Sequence, residues 1–140
     1  MTLSIRNRLA GTVADITSGA VMGTVRIALA NGDTLTSAVT MDAIKDVGIG
    51  IGSAVEVLVK STDVSLATGE TSGLTIRNRL GGTLVGIDTG GAMALVRIDL
   101  GTDIELTAAI TRAAADELKL APGLPVTALI KSTEVAFSAL

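Results

Sequence analysis

The chain has 140 residues and a net charge of −3, and it contains neither histidine nor cysteine. These absences exclude disulfides, thiol nucleophiles, imidazole acid–base chemistry and sites for soft metal ions. The negative net charge provides no general attraction for nucleic acid or acidic membranes. Because the first residues lack a secretory signal and no apolar run reaches membrane-spanning length, we expect a cytoplasmic protein without a membrane partner.

Hydrophobic residues make up 48% of the chain, yet Phe137 is its only aromatic residue. A core of Val, Ile, Leu and Ala favours pleated sheet. So many aliphatic residues in small domains indicate that some of them cover a subunit interface, and we expect a homo-oligomer. The alternative is a tight aliphatic core with a few exposed Val and Ile side chains.

Short apolar and polar runs alternate along the first half of the chain and predict five strands. The predicted strands cover residues 2–8, 11–16, 21–29, 34–40 and 54–59. Residues 17–19 and 30–33 have the composition of hairpin turns. One short helix is predicted from Met41 to Val47, with Thr40 as its N-cap and Gly48 at its end.

The second half repeats the first without gaps, at an offset of 71 positions that matches residue 5 with residue 76. The block from Ile5 to Leu9 recurs from Ile76 to Leu80, and the run Lys-Ser-Thr at 60–62 recurs at 131–133. A period this long indicates two domains and not a solenoid. We predict one domain over residues 1–68, a second over 73–140, and a linker over 69–72. The second helix is predicted over residues 112–118, after Thr111.

Five strands with one helix ahead of the last long strand predict a small barrel. The expected fold is all-β, with two tandem five-stranded OB-like barrels that each carry one short helix. Barrels of this type that bind single-stranded nucleic acid stack bases on aromatic side chains, which this chain lacks apart from Phe137. We therefore expect no nucleic-acid partner, although the fold alone does not decide function.

Both copies keep a set of polar side chains that can donate hydrogen bonds, and none of the set is a carboxylate. Its members are Arg6, Asn7, Arg8, Thr40, Lys60, Ser61 and Thr62, with counterparts Arg77, Asn78, Arg79, Thr111, Lys131, Ser132 and Thr133. Donors combined with positive charge suit a small anion. Taken singly, the same residues are also explained as solvated surface charges and ordinary helix caps.

Three ordered motifs in each copy resemble the molybdenum-pterin-binding, or Mop, domain. The run from Ser4 to Val13 is similar to that domain's opening signature, Ser-x-Arg-Asn-x-(apolar)-x-Gly-x-Val, and the second copy repeats it from Thr75 to Leu84. The middle and closing motifs resemble Val39-Thr40 and Val59-Lys60-Ser61, which recur as Ile110-Thr111 and Ile130-Lys131-Ser132. A bare tandem pair of such domains is similar to the cytoplasmic molybdate-storage members of the family.

The resemblance implies a trimer of double domains that holds molybdate or tungstate, as the oxyanion, at domain interfaces. It implies reversible binding, storage and homeostasis of the anion without catalysis, without a cofactor and without a directly coordinated metal. Ser4 and Arg6 would act from one domain, with Thr40, Lys60 and Ser61 acting from a neighbour. The asparagines are weaker candidates, either structural or lining a second kind of site. The implied ligand-binding residues are Ser4, Arg6, Asn7, Thr40, Lys60, Ser61, Thr75, Arg77, Asn78, Thr111, Lys131 and Ser132.

Two departures from the family pattern affect the expected sites. Ala43 and Ala114 stand where the family often has a serine, so a hydroxyl donor is missing and the backbone N–H is the expected substitute. Thr75 replaces the serine found at Ser4, which keeps the hydroxyl but adds a methyl group. We therefore expect the two copies to bind with unequal strength.

Other functions stay open at this stage. One is an oxyanion-sensing module that acts through a partner protein, and a less favoured one is a single-stranded nucleic-acid-binding barrel. An enzyme acting on phosphate or molybdopterin would need a general acid or base. Of the candidates Asp15, Asp33 and Asp63, only Asp63 has a carboxylate counterpart in the second copy, Glu134. These two are better explained as support for the neighbouring Lys60 and Lys131, or as solvated charges.

Overall fold

A computed structural model describes all 140 residues of the chain. The elements of the first copy are β1 (Asn7–Thr17), β2 (Met22–Leu29), β3 (Thr34–Thr40), α1 (Met41–Val47), β4 (Ala54–Val59) and β5 (Ser65–Ala67). Those of the second copy are β6 (Asn78–Thr89), β7 (Met93–Gly101), β8 (Ile104–Thr111), α2 (Arg112–Glu117), β9 (Pro125–Ile130) and β10 (Ala136–Ala139). A 3₁₀ turn follows β4 at Ser61–Asp63 and β9 at Ser132–Glu134. Neither α-helix has the length and apolar character needed to cross a membrane.

Local signals place both helices correctly. The Thr40 hydroxyl accepts a hydrogen bond from the Ala43 N–H at 3.1 Å, and Gly48 ends α1 in the left-handed conformation with φ of 71°. Thr111 caps α2 in the same way, and this helix ends one residue earlier than predicted because Leu118 is its C-cap. Capping and a left-handed glycine are determined by neighbouring residues, so the sequence predicts them well.

The prediction of two separate strands over residues 2–8 and 11–16 is wrong. One strand, β1, begins at Asn7 and runs through Gly11. Gly11 does not interrupt it, because the Ile27 side chain of β2 occupies the space that a Cβ would need. At the equivalent Gly82, an added Cβ would lie 2.7 Å from Ile98 Cγ2. These glycines therefore permit close packing inside a strand.

β1 and β6 each serve two neighbouring strands. β1 pairs with β4 over residues 7–12 and with β2 over residues 11–17, with a register shift between Val13 and Asp15. The same shift occurs in β6 between Leu84 and Gly86. A bulge of this kind bends a strand, which lets it curve from one partner to the next. Because β3 and β8 remain at the sheet edges, each sheet is a half-barrel that hydrogen bonds do not close.

The fifth strand of each copy belongs to the sheet of the other copy. The strand orders are β10-β4-β1-β2-β3 and β5-β9-β6-β7-β8. Ala136 lies opposite Leu58, and Ser65 lies opposite Leu129. Five strands per sheet confirm the predicted count, although the sequence pattern missed β5 and β10 as strands. The domain boundaries at 68 and 73 stay a prediction.

Two asparagine side chains also connect the copies, each by hydrogen bonds to the backbone of the other copy. Asn7 is 2% exposed, and its amide both donates to the Thr107 carbonyl and accepts from the Thr107 N–H, each at 2.8 Å. Asn78 is 3% exposed and makes the same pair of 2.8 Å bonds with Thr36. Thr107 and Thr36 lie on the edge strands β8 and β3, so each amide satisfies backbone groups at an open edge.

The hydrophobic core is shared by the two copies. A single cluster of 22 buried residues extends from Leu9 in the first copy to Val135 in the second. Phe137 on the exchanged β10 packs against this cluster. The two copies are therefore interleaved parts of one folded body.

We expect Asn7→Ala to lower the free energy of unfolding by about 1–3 kcal/mol, the usual cost of leaving buried polar groups without partners. Asn78→Ala should have a similar effect, because it leaves the backbone N–H and carbonyl of Thr36 without the side-chain amide that they bond. Urea unfolding measures this, with Thr34→Ala as a control at an exposed edge position. Unfolding of Asn7→Ala at the same urea concentration as the parent chain would contradict this role.

Removal of residues 136–140 tests the strand exchange. Without β10, the β4 amides that face it lose their partners and exchange with solvent faster, whereas β9 amides keep the protection given by β5 and β6. Hydrogen-exchange mass spectrometry measures both segments in one sample, and removal of Leu140 alone is the control. Equal loss of protection in β4 and β9 would argue against the exchange.

Candidate functional site

The antiparallel pairing of β1 with β4 builds a pocket at one end of the first sheet. Asn7 lies opposite Val59, so the residues just before β1 and just after β4 meet at this end. They line a pocket of about 260 Å³. Its lining residues are Ser4, Ile5, Arg6, Lys60, Ser61 and Thr62. We call this the first pocket.

The two cations of the first pocket, Arg6 and Lys60, form no ion pair with a carboxylate. Arg8, Arg97 and Arg112 form the ion pairs of the structure, and neither Arg6 nor Lys60 takes part in any of them. Arg6 makes one long hydrogen bond, from Nε to the Ser4 carbonyl at 3.3 Å. Two unpaired positive charges therefore remain to interact with an anion.

The 3₁₀ turns that follow β4 and β9 each contain a serine whose hydroxyl has no hydrogen-bond partner. Ser61 Oγ and Ser132 Oγ are both buried without a hydrogen bond. The Asp63 N–H bonds the Lys60 carbonyl at 3.0 Å, and the second copy repeats this bond from Glu134 to Lys131 at 2.9 Å. A buried hydroxyl without a partner is unfavourable, so its recurrence beside a lysine in both copies points to a missing hydrogen-bonding partner.

The second copy arranges the equivalent residues differently. Arg77 lines a pocket of about 270 Å³ with Ile76 and Arg79. Lys131 lines another of about 170 Å³, which also contains Ile76 and the carboxylates of Asp63 and Glu134. Neither carboxylate forms an ion pair with a lysine. The predicted cations therefore lie in separate pockets that share Ile76, and Thr75 and Ser132 line neither of them.

Thr40 and Thr111 lie outside these pockets on the exposed starts of the two helices. Their hydroxyl oxygens accept from the Ala43 and Ala114 N–H groups at 3.1 Å. In this structure the threonine caps use the two backbone N–H groups that were expected to substitute for the missing serine hydroxyls. The threonine hydroxyls keep their own hydrogens for donation.

Asn7 and Asn78 line neither the first pocket nor the pockets of the second copy. Each amide is buried and is committed to the edge strand of the other copy, as described above. Binding a ligand would require these bonds to break. Of the two explanations left open by the sequence, the contacts favour the structural one.

The structure groups the predicted residues differently from the family-based expectation. Lys60 and Ser61 were expected to act from a neighbouring domain, but they share a pocket with Ser4 and Arg6 of their own copy. Strand pairing is the physical reason, because it brings residues 4–6 next to residues 60–62. Thr62 also lines this pocket although the motif comparison did not assign it to the ligand. The sequence did contain a signal for including Thr62 in the site, because the residue recurs in the second copy as Thr133.

No group of three or more His, Cys, Asp or Glu side chains is arranged to hold a metal ion. The side chains of the first pocket are instead two cations and three hydroxyls beside one apolar residue. This donor set can bind and orient an oxyanion, and it contains no general base.

Comparison with known proteins identifies related chains over both halves. The model of the TOBE domain matches residues 3–66 and 74–137. The molybdenum-pterin-binding protein MopA of Rhodobacter capsulatus is 39% identical over 136 residues, which cover 96% of this chain and 51% of MopA. The molybdenum transport protein ModE of Azotobacter vinelandii is 33% identical over 135 residues, or 96% of this chain and 50% of ModE. The chain thus spans about half the length of these curated relatives.

A solved structure matches the chain over its whole length. It is described as the cytoplasmic molybdate-binding protein ModG with molybdate bound, and it is 37% identical with a TM-score of 0.95. The match covers 100% of both chains. The chain therefore belongs to the TOBE domain family and consists of two Mop-type TOBE domains in tandem.

Proposed function

We propose that this chain binds molybdate or tungstate reversibly, as the intact oxyanion, without catalysing a reaction. The observation that carries the proposal is the first pocket, in which two cations without carboxylate partners meet the partnerless hydroxyl of Ser61. The similar structure described as the molybdate-binding protein ModG supports the same ligand class. Each oxygen of a tetrahedral oxyanion would accept a donor, while Arg6 and Lys60 offset the loss of its hydration.

The strength of such a site is sufficient for a small anion. Hydrogen bonds to charged groups contribute about 1.5–3 kcal/mol each. Four or five of them contribute about 6–15 kcal/mol in gross terms, a range that includes the ~8 kcal/mol of micromolar affinity. Ordering of the arginine and lysine side chains reduces this sum. The proposal therefore needs most of the donors in the first pocket, and no covalent chemistry.

The proposed assembly is a homotrimer in which Thr40 and Thr111 contribute to pockets of neighbouring chains. Thr40 is exposed and lies outside the pocket of its own copy, so it is available to another chain. Met22, opposite Thr40, is 45% exposed, and Met93, opposite Thr111, is 47% exposed. Exposed apolar side chains beside both threonines support contact with another subunit there. The trimer itself follows from the family resemblance, and the measured mass in solution tests it.

The proposed role is storage and homeostasis of the anion in the cytoplasm. A binding protein without a general base suits a function of uptake and release. The description of ModG as cytoplasmic supports the location. Titration calorimetry of metal-free protein with molybdate, tungstate and sulfate tests the ligand class. Heat of binding is expected with molybdate and tungstate, and the absence of heat with all three anions would contradict the proposal.

We expect Lys60→Ala to weaken molybdate binding at the first pocket by about tenfold, which corresponds to the loss of ~1.4 kcal/mol of binding free energy. Arg6→Ala should act similarly because it removes the other unpaired cation. Calorimetry measures the affinity, and the molybdate-dependent rise in melting temperature should shrink in parallel.

Lys45→Ala is the matched control for these variants. Lys45 is an exposed lysine in the last turn of α1, so its removal changes the net charge equally but leaves the pocket intact. Its molybdate affinity should stay within about twofold of the parent value, since Lys45 does not line the pocket and the field of an exposed charge is screened by physiological salt. Equal losses in Lys45→Ala and Lys60→Ala would show a general charge effect and would overturn the assignment of the pocket.

A further inference from the structure

The arginine that ends the repeated Arg-Asn-Arg run makes different contacts in the two copies. In the first copy, Arg8 donates to Glu56 Oε1 from Nε at 3.0 Å and from Nη2 at 2.7 Å. In the second copy, Arg79 donates from Nε to the Ile76 carbonyl at 3.0 Å and from Nη2 to the Leu74 carbonyl at 2.6 Å. The equivalent arginine therefore bonds a carboxylate in the first copy and two backbone carbonyls in the second.

A single sequence difference accounts for this change. Position 127 is the counterpart of Glu56, and it is a threonine. Glu56 lies opposite Ala10, and Thr127 lies opposite Gly81, so the two positions have the same register relative to their arginines. Thr127 offers no carboxylate to Arg79. The guanidinium therefore turns to the chain that precedes its own strand.

The two carbonyls that Arg79 binds flank Thr75 and precede Arg77, which are candidate ligand residues of the second copy. Residues 74–77 lie outside the regular elements, and the only hydrogen bonds of their backbone come from Arg79. Arg77 itself makes no hydrogen bond and no ion pair, in contrast to Arg6, which bonds the Ser4 carbonyl. A planar guanidinium with two donors fixes both carbonyls at once.

We propose that Arg79 is a positioning residue for the anion site of the second copy. It holds residues 74–77 so that Thr75 and Arg77 are ordered before the ligand arrives, which reduces the ordering cost of binding. Arg8 has no such role, because Glu56 engages it. This inference rests on the proposed function and adds to it that the two sites of one chain are preorganised by different means.

The test isolates one site at a time in the full-length chain. In an Arg6→Ala/Lys60→Ala background, where the first pocket has lost both of its cations, Arg79→Ala should weaken molybdate binding at the remaining site about tenfold, or ~1.4 kcal/mol. In the mirrored Arg77→Ala/Lys131→Ala background, Arg8→Ala should change the affinity less than about twofold, or ~0.4 kcal/mol. Sodium molybdate is the probe, and calorimetry gives the affinities.

A second variant diverts Arg79 without removing it. Thr127→Glu recreates the Glu56 arrangement, and the space beside Thr127 and Gly81 accommodates the longer side chain. It should weaken the second site about as much as Arg79→Ala does, while Thr127→Gln should not. If the glutamate acts through Arg79, the double variant Arg79→Ala/Thr127→Glu binds no more weakly than Arg79→Ala alone. Backbone order parameters of residues 74–77, measured by NMR relaxation, should fall in both variants without a lower melting temperature in the absence of ligand.

The outcomes separate this inference from the function on which it rests. Parent-like affinity of Arg79→Ala and Thr127→Glu at the second site, in a chain that otherwise binds molybdate, would overturn the role of Arg79 alone. A lower melting temperature with unchanged affinity would overturn it too, because it would reveal a purely structural contact. Absence of molybdate binding in the parent chain would overturn the proposed function together with this role.

Discussion

The amides of Asn7 and Asn78, each closing an open sheet edge in the other copy, are the contacts on which the arrangement of the molecule depends. They begin β1 and β6, where neighbouring side chains point to opposite faces. When the asparagine turns into the shared core, the arginine before it turns outward to the pocket region. In each copy the Arg-Asn pair therefore places the asparagine in the shared core and the arginine, a proposed ligand-binding residue, at a pocket.

Local features of the fold could be predicted from the sequence, and non-local ones could not. The helix over residues 41–47 was predicted with its bounds because Thr40 and Gly48 determine its ends. The interruption expected before Gly11 was wrong, because only the neighbouring Ile27 reveals why a side chain is absent there. Strand exchange left no signal either, since β10 carries the same pattern whether it pairs with β4 or with β9.

For the site, the ligand class could be predicted from residue types, whereas the detailed contacts of each copy could not. Shared donors indicated an anion, and the first pocket brings Ser4, Arg6, Lys60 and Ser61 together as strand pairing requires. The copies were expected to differ through Thr75, yet the contacts of Arg8 and Arg79 differ because of Glu56 and Thr127, which lie outside every motif. Motif comparison emphasises what two copies share. The orientation of Arg79 depends on a residue that they do not share, so only the structure reveals it.

The most direct test of the account is a crystal structure of the chain grown with molybdate, with anomalous scattering recorded at the molybdenum absorption edge. If the proposed sites bind the anion, molybdenum peaks will lie within hydrogen-bonding reach of Lys60 and Ser61, and beside Arg77 in the second copy, with tetrahedral oxygens contacted by these donors. Molybdenum peaks confined to surfaces without these residues, or no peaks at saturating molybdate, would contradict the proposed sites.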